Sequence, residues 1–202
     1  MTMSNDLALR VVLIVDLLLL FSLLAYHRIK AYTNEKLDRR QEGLFILATL
    51  RPMALVFFVG AVTYLVNPAR MTWSSVPLPL WLRWSGTTGV FALCWGLLFW
   101  TLRGLGTNLT DTVVTRHEHT LVTSGPYRWV RHPFYDAVAL LLLAIVLTAA
   151  NWFLLLTGGL FFVLIAIRSR TEDAKLLARF GEPYRVYWSR TGRFLPKIFR
   201  QS

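Results

Sequence analysis

The sequence predicts an all-α integral membrane protein of about five transmembrane helices, the last two forming a helical hairpin, with a polar loop and a C-terminal helix gathered at one face. Three observations carry this. First, of 202 residues 55% are hydrophobic and only 16% charged, and mean hydropathy is +0.48. Soluble domains carry about a quarter charged residues. Second, the apolar residues fall in runs near the ~20 residues needed to cross a hydrocarbon core. Third, the cations cluster in segments that five passages would place on one side.

Residues 7–26 read as the first span, with Asp16 in its middle. Residues 1–6 carry no cation, so this run reads as a retained anchor rather than a cleaved leader. Five Lys/Arg follow between Arg28 and Arg40. Residues 44–66 form the second span and contain Arg51-Pro52. Run antiparallel at ~1.5 Å per residue, the two helices bring Asp16 and Arg51 to comparable depth, and a charge-neutralising pair is expected. A short turn-rich connection, 67–77, leads to a third span over about 78–102. Its Trp81, Trp84, Trp95 and Trp100 suit packing and interfacial belts. The glycines of Leu102-Arg-Gly-Leu-Gly106 end it.

Segment 107–136 has no spanning run. Loops beyond about 12–15 residues are functional or disordered, and this one is too aromatic and motif-dense for disorder. Residues 137–149 and 152–167 are both apolar. One straight helix over them would run ~46 Å against a ~30 Å core. A hairpin turning near Ala150-Asn151 fits instead. Nine Lys/Arg follow from Arg168 to Arg200.

Five passages put the 27–43 loop, the central polar loop and the tail on one side. Counting Arg103 at the edge of that loop, this side holds 18 of the 22 Lys/Arg, as the positive-inside rule requires of the cytoplasm. Topology and anionic headgroups then account for the net charge of +11, and nucleic acid is not needed. The single cysteine, Cys94, permits no intrachain disulfide.

Two stretches could carry chemistry. The first is HTLVTSGPYRWVRHPFY, His119 to Tyr135. Gly125-Pro126 is a turn that lets backbone approach a ligand. Tyr127 and Tyr135 can stack on a base or bond a ribose, and His132 before Pro133 is held extended. Spacing alone leaves open a polar ligand site or lipid-headgroup anchoring. The second is the helix leaving the bilayer. Arg168 and Glu172, four apart, share a face and suit a site that reads one ligand from lipid and one from cytosol, or a plain exposed ion pair. Leu176, Phe180, Tyr184 and Tyr187 continue an apolar stripe, interrupted at Gly181 and Pro183. Other patterns fall short. His117-x-His119 lacks further metal ligands at a recognisable spacing. Ser124, His132 and Asp136 lack a nucleophile elbow, and Gly104-x-Gly106 lacks a preceding strand.

HTLVTSGPYRWVRHPFY followed by RSRTEDAKLLARFGEPYRVYWSRTGRFLP resembles the isoprenylcysteine carboxyl methyltransferase and phospholipid methyltransferase family, over about 105–196. The resemblance implies an S-adenosylmethionine-dependent methyltransferase acting on a lipophilic acceptor. It divides a single structural domain into transmembrane helices at 1–103 and a catalytic region at 104–202, the latter with a cytosolic cofactor-binding loop. Cofactor contacts would come from His119, Thr120, Leu121, Val122, Tyr127, His132, Pro133, Phe134, Tyr135 and Glu172. Arg168 matches the arginine that meets the substrate carboxylate. Two departures stand out: Asp136 replaces the glycine that often follows the RHPxY tyrosine, and the usual paired glutamates are Glu172-Asp173. Partners would be a lipophilic or prenylated acceptor and membrane lipids, with no metal. The implied transfer attacks a sulfonium in line, so the protein supplies positioning and electrostatics. A carboxylate acceptor needs no general base, whereas an amine or thiol does. Two other readings share the features: an NADPH-dependent membrane reductase of the sterol-reductase type, with its own RHPxY-like loop, and a non-catalytic membrane scaffold.

Overall fold

A computed structural model describes residues 2–30, 46–105 and 121–197. These are helical, with no strand among them beyond two isolated bridges. Helix α1 is Thr2–Lys30 and α2 is Arg51–Val66. A wide π-type turn, Ile46–Leu50, precedes α2. Pro52, with no N–H to donate, stands at the junction where the helix loosens. The third span runs Leu80–Leu105. It begins as α3, Leu80–Trp84, widens through Ser85–Val90, and continues as α4, Phe91–Leu105. The hairpin is α5, Pro133–Ala149, and α6, Trp152–Phe180; α7, Glu182–Arg190, closes the chain.

Among the described residues four helices are long and apolar enough to cross a bilayer, and α5 is a shorter apolar helix. At ~1.5 Å per residue α5 reaches about 25 Å and α6 about 43 Å. The longer arm therefore outruns its partner at the end away from the turn. Arg168 stands where that overhang begins, and Glu172 and Asp173 lie on it.

The packing follows from which residues are small. Gly60 of α2 faces Phe153 and Leu154, and Gly158 of α6 faces Phe57, so α2 and α6 close on one another where side chains are absent. Gly86 lies against Leu147 and the Ala144 carbonyl, which brings the third span onto α5. The core gathers Leu13, Phe57, Phe91, Leu98, Ile145 and Leu154. Many large apolar side chains, such as Leu18, Leu55, Val59 and Leu155, point outward, as expected where the surrounding solvent is lipid.

The hairpin turn forms where the sequence placed it. Ala150 adopts a left-handed conformation at φ 48°. Asn151 caps α6 by accepting from Leu154 N–H at 3.1 Å, and its amide donates to Ser74 Oγ (2.8 Å) and the Met71 carbonyl (3.2 Å). One buried side chain thus starts α6 and ties the hairpin to the 68–76 connection.

The expected Asp16–Arg51 pair is not favoured by the register. Arg10 of α1 donates to the Leu65 carbonyl near the end of α2. That contact sets Arg51 level with about Leu24, roughly 12 Å along the axis from Asp16 at 1.5 Å per residue. Among the described residues, an interhelical ion pair joins Arg83 Nη1 to Asp6 Oδ1, 2.6 Å, at the hairpin-turn end.

Replacing Asn151 by Ala removes a cap and strands Ser74 Oγ, and should lower stability by about 1–2 kcal/mol. Ala150→Gly relieves the left-handed strain and should raise it by about 1 kcal/mol. Thermal unfolding of the purified protein in detergent reads both; equal signs for the two variants would contradict this description of the turn.

Candidate active site

The loop after the third span is held in three places. Gly125, at φ 61°, sits against the indole of Trp100, where a Cβ would crowd Nε1. A 3-10 turn, Gly125–Arg128, then buries Pro126 and Tyr127. The Tyr127 ring lies over Gly104, and its carbonyl accepts from Tyr187 Oη at 2.8 Å. Finally, Val130 pairs with Gly192 of the tail. Arg131 N–H donates to the Gly192 carbonyl (2.9 Å), His132 N–H to the Arg193 carbonyl (3.1 Å) and Gly192 N–H to the Trp129 carbonyl (3.2 Å). A Cβ at Gly192 would collide with the Leu195 carbonyl, so only glycine fits this strap.

The strap delivers two aromatic rings to the overhang of α6. Tyr135 Oη donates to Glu172 Oε2 at 2.7 Å. His132 stacks on Tyr135, with centroids 5.3 Å apart and planes 7° from parallel. Its Nε2 bonds Asp173 Oδ1 at 2.9 Å. Adjacent helical residues point about 100° apart, so Glu172 meets one ring of the stack while Asp173 meets the other. Arg168, one turn before Glu172, is within electrostatic reach of the Tyr135 phenol, and Tyr127 within reach of Glu172. Burial, then the Glu172 carboxylate, pushes the Tyr127 phenol above its ordinary value. It stays neutral beside that carboxylate.

Tyr127, His132, Tyr135, Arg168 and Glu172, separate in sequence, therefore converge. Pro133 is buried in the first turn of α5, and Phe134 packs against the apolar core. Leu121 and Val122 lead half-buried into the Gly125 turn. His119 and Thr120, like His117, lie outside the described residues.

Asp173 is the residue that sequence reasoning underrated. It is fully buried, and four groups converge on it. Besides His132, Tyr184 Oη donates at 2.6 Å, Arg131 Nε lies at 3.4 Å and Arg193 Nη2 at 3.2 Å. Arg131 also donates to the Thr191 and Trp188 carbonyls and lies 5.0 Å over the Trp188 ring. Burial, followed by the bond to Asp173, holds the Tyr184 phenol well above its ordinary value, so it remains a donor. The available signal was the second acid of Glu172-Asp173 together with Arg131, His132, Tyr184 and Arg193 within the two motifs.

The two adjacent acids do different work. Glu172 is only half-buried, Tyr135 takes one of its oxygens, and Oε1 has no protein partner among the described residues. Asp173 is spent on scaffold. Asp173→Asn leaves Arg131 and Arg193 uncompensated and should cost about 3–5 kcal/mol, the scale for breaking a buried pair. Glu172→Gln keeps an acceptor for Tyr135 and should leave the unliganded melting temperature nearly unchanged. The reverse ranking in thermal unfolding would refute this division.

The isoprenylcysteine carboxyl methyltransferase (ICMT) family model matches residues 87–178. The match runs from the third span through the loop and hairpin to the overhang with Arg168, Glu172 and Asp173. The uncharacterized protein YpbQ of Bacillus subtilis is 28% identical over 127 residues, 61% of this chain and 70% of that protein. The cobalt-zinc-cadmium resistance protein CzcN of Cupriavidus metallidurans is 36% identical over 121 residues, 57% of this chain and 55% of that protein. The alignment with CzcN thus spans just over half the length of that relative. The family match covers just under half of the chain, including the elements that carry Arg168, Glu172 and Asp173, and over that segment the chain resembles the ICMT family.

Proposed function

We propose that the chain is an S-adenosylmethionine-dependent methyltransferase acting on a lipophilic acceptor at the membrane, with carboxyl O-methylation as the favoured reaction. One observation carries the reading. Within the family-matched segment, a cation and a carboxylate stand one turn apart on the α6 overhang, and the loop brings Tyr135 and Tyr127 to that same carboxylate.

The donor set fits such a cofactor. The second oxygen of Glu172, which has no partner among the described residues, can accept from an ammonium or a ribose diol. Tyr127 and Tyr135 are aromatic faces suited to a sulfonium by cation–π attraction. When bound, S-adenosylmethionine supplies an activated methyl group. The residues of this chain orient what reacts with it. Arg168 lies about 24 Å along α6 from Trp152 and Glu172 about 30 Å, so Arg168 is nearer the hydrocarbon and Glu172 nearer water. Arg168 would hold the polar head of an acceptor that arrives between helices, and a carboxylate held there is already nucleophilic at neutral pH. The cation distribution supports a cytoplasmic position for this end.

Calorimetric titration with S-adenosylhomocysteine should show saturable binding that Glu172→Ala abolishes. Unchanged affinity in that variant would overturn the assignment. Arg168→Ala should keep cofactor affinity and reduce turnover by at least about a hundredfold, as expected when a charged positioning contact is lost. Methyl-labelled cofactor incubated with membrane extract would identify the acceptor. Stabilisation by NADPH in place of S-adenosylhomocysteine would instead indicate a reductase.

A further inference from the structure

A cavity of about 170 Å³ lies at the hairpin-turn end of the bundle, opposite the site just described. Its wall includes Asp6, Arg10, Tyr64, Arg83 and Asn151. None of these has a part in the proposed chemistry.

The two arginines differ in how their donors are used. Every nitrogen of Arg83 has a partner: Nη1 bonds Asp6 at 2.6 Å, Nε bonds the Thr148 carbonyl at 3.0 Å and Nη2 bonds Tyr64 Oη at 3.2 Å. Arg10 makes a single bond, Nη1 to the Leu65 carbonyl at 3.2 Å, and its Nε is buried with no hydrogen-bond partner among the described residues. A guanidinium carries five N–H donors, so most of this one is unspent on the described residues. The charge is unbalanced too. Two arginines share the wall with the one carboxylate of Asp6, leaving a single positive excess. A buried guanidinium donor without an acceptor is costly, and its natural complement is a monoanion with planar or tetrahedral oxygens.

The surroundings identify where such an anion comes from. Trp73, Trp81 and Trp152 are exposed at this same end, and Trp73 packs edge-on to Trp152 at 5.4 Å. Exposed tryptophans gather at the headgroup level of a bilayer. The cavity therefore opens at the depth of lipid phosphates.

We propose that this cavity binds a monoanionic oxyanion, the phosphodiester of a lipid headgroup, through Arg10 at the membrane face opposite the candidate active site.

The test uses the delipidated full-length protein in neutral detergent, with thermal unfolding followed during titration. The probes are dioctanoyl phosphatidylglycerol, dioctanoylglycerol and inorganic phosphate. Phosphatidylglycerol should raise the melting temperature saturably, and dioctanoylglycerol should not. Arg10→Gln should weaken half-saturation by about tenfold or more, the scale of one charge-assisted hydrogen bond. Asp6→Asn removes the competing carboxylate and should tighten it. Stabilisation by inorganic phosphate as well would support the oxyanion site and assign it a soluble ligand. No saturable shift, an equal shift with dioctanoylglycerol, or unchanged half-saturation in Arg10→Gln would overturn the proposal. Should Arg10→Gln fail to fold, Asp6→Asn decides, because equal or weaker binding there also overturns it.

Discussion

The carboxylate of Asp173, fully buried beneath a histidine, a tyrosine and two arginines, is what the C-terminal half of the molecule is assembled around. A charge in that position is expensive unless each of its lone pairs finds a donor. Here the donors come from three places in the chain: the loop before α5, α7 and the tail. Each donor fixes the element that carries it. His132 fixes the start of α5, Tyr184 fixes α7 against α6, and Arg193 fixes the strap that runs beside the loop. Removing the anion would release all three at once.

The neighbouring acid gains its freedom from this arrangement. Because Asp173 holds the scaffold, Glu172 gives one oxygen to Tyr135 and leaves the other without a partner among the described residues. The separation needs nothing more than the 100° between successive helical residues and a stacked pair of rings to meet both directions. The cost is paid in buried charge on one face, and the other face is left with an accessible carboxylate beside a cation. That suits a reaction run by positioning and electrostatics, with the neutral Tyr127 adding no competing charge.

The two ends of the bundle also differ in how they use arginine. At the hairpin-turn end, Arg83 and Asp6 close an ion pair that joins α1 to the third span, and Asn151 does the same for the hairpin and the 68–76 connection. At the other end the polar groups serve a strap and an exposed helix face. An apolar bundle in lipid gains little from hydrophobic contact between helices, so close approach at Gly60, Gly86 and Gly158 and a few polar ties at each end set the relative heights of the helices. Those heights decide how far α6 overhangs α5.

Much of this was legible in the residues alone. Apolar run lengths located the four helices long enough to cross a bilayer and the shorter apolar helix α5. The mismatch between 31 apolar residues and the thickness of a bilayer required a turn at Ala150-Asn151, and Gly181-Pro183 marked the break between α6 and α7. All of these are local: they depend on period, length and backbone restriction. The sequence also supplied the two motifs, and with them the loop and the Arg168–Glu172 helix as candidates. Only the tertiary structure decided how they meet. The expected pairing of Asp16 with Arg51 is not favoured because depth along a helix depends on register, which the Arg10–Leu65 contact reports and no run length reveals. The division of labour between Glu172 and Asp173 was hidden for a similar reason. Two adjacent acids look alike in a sequence, and which one is buried depends on partners 11 to 42 positions away that only packing brings together.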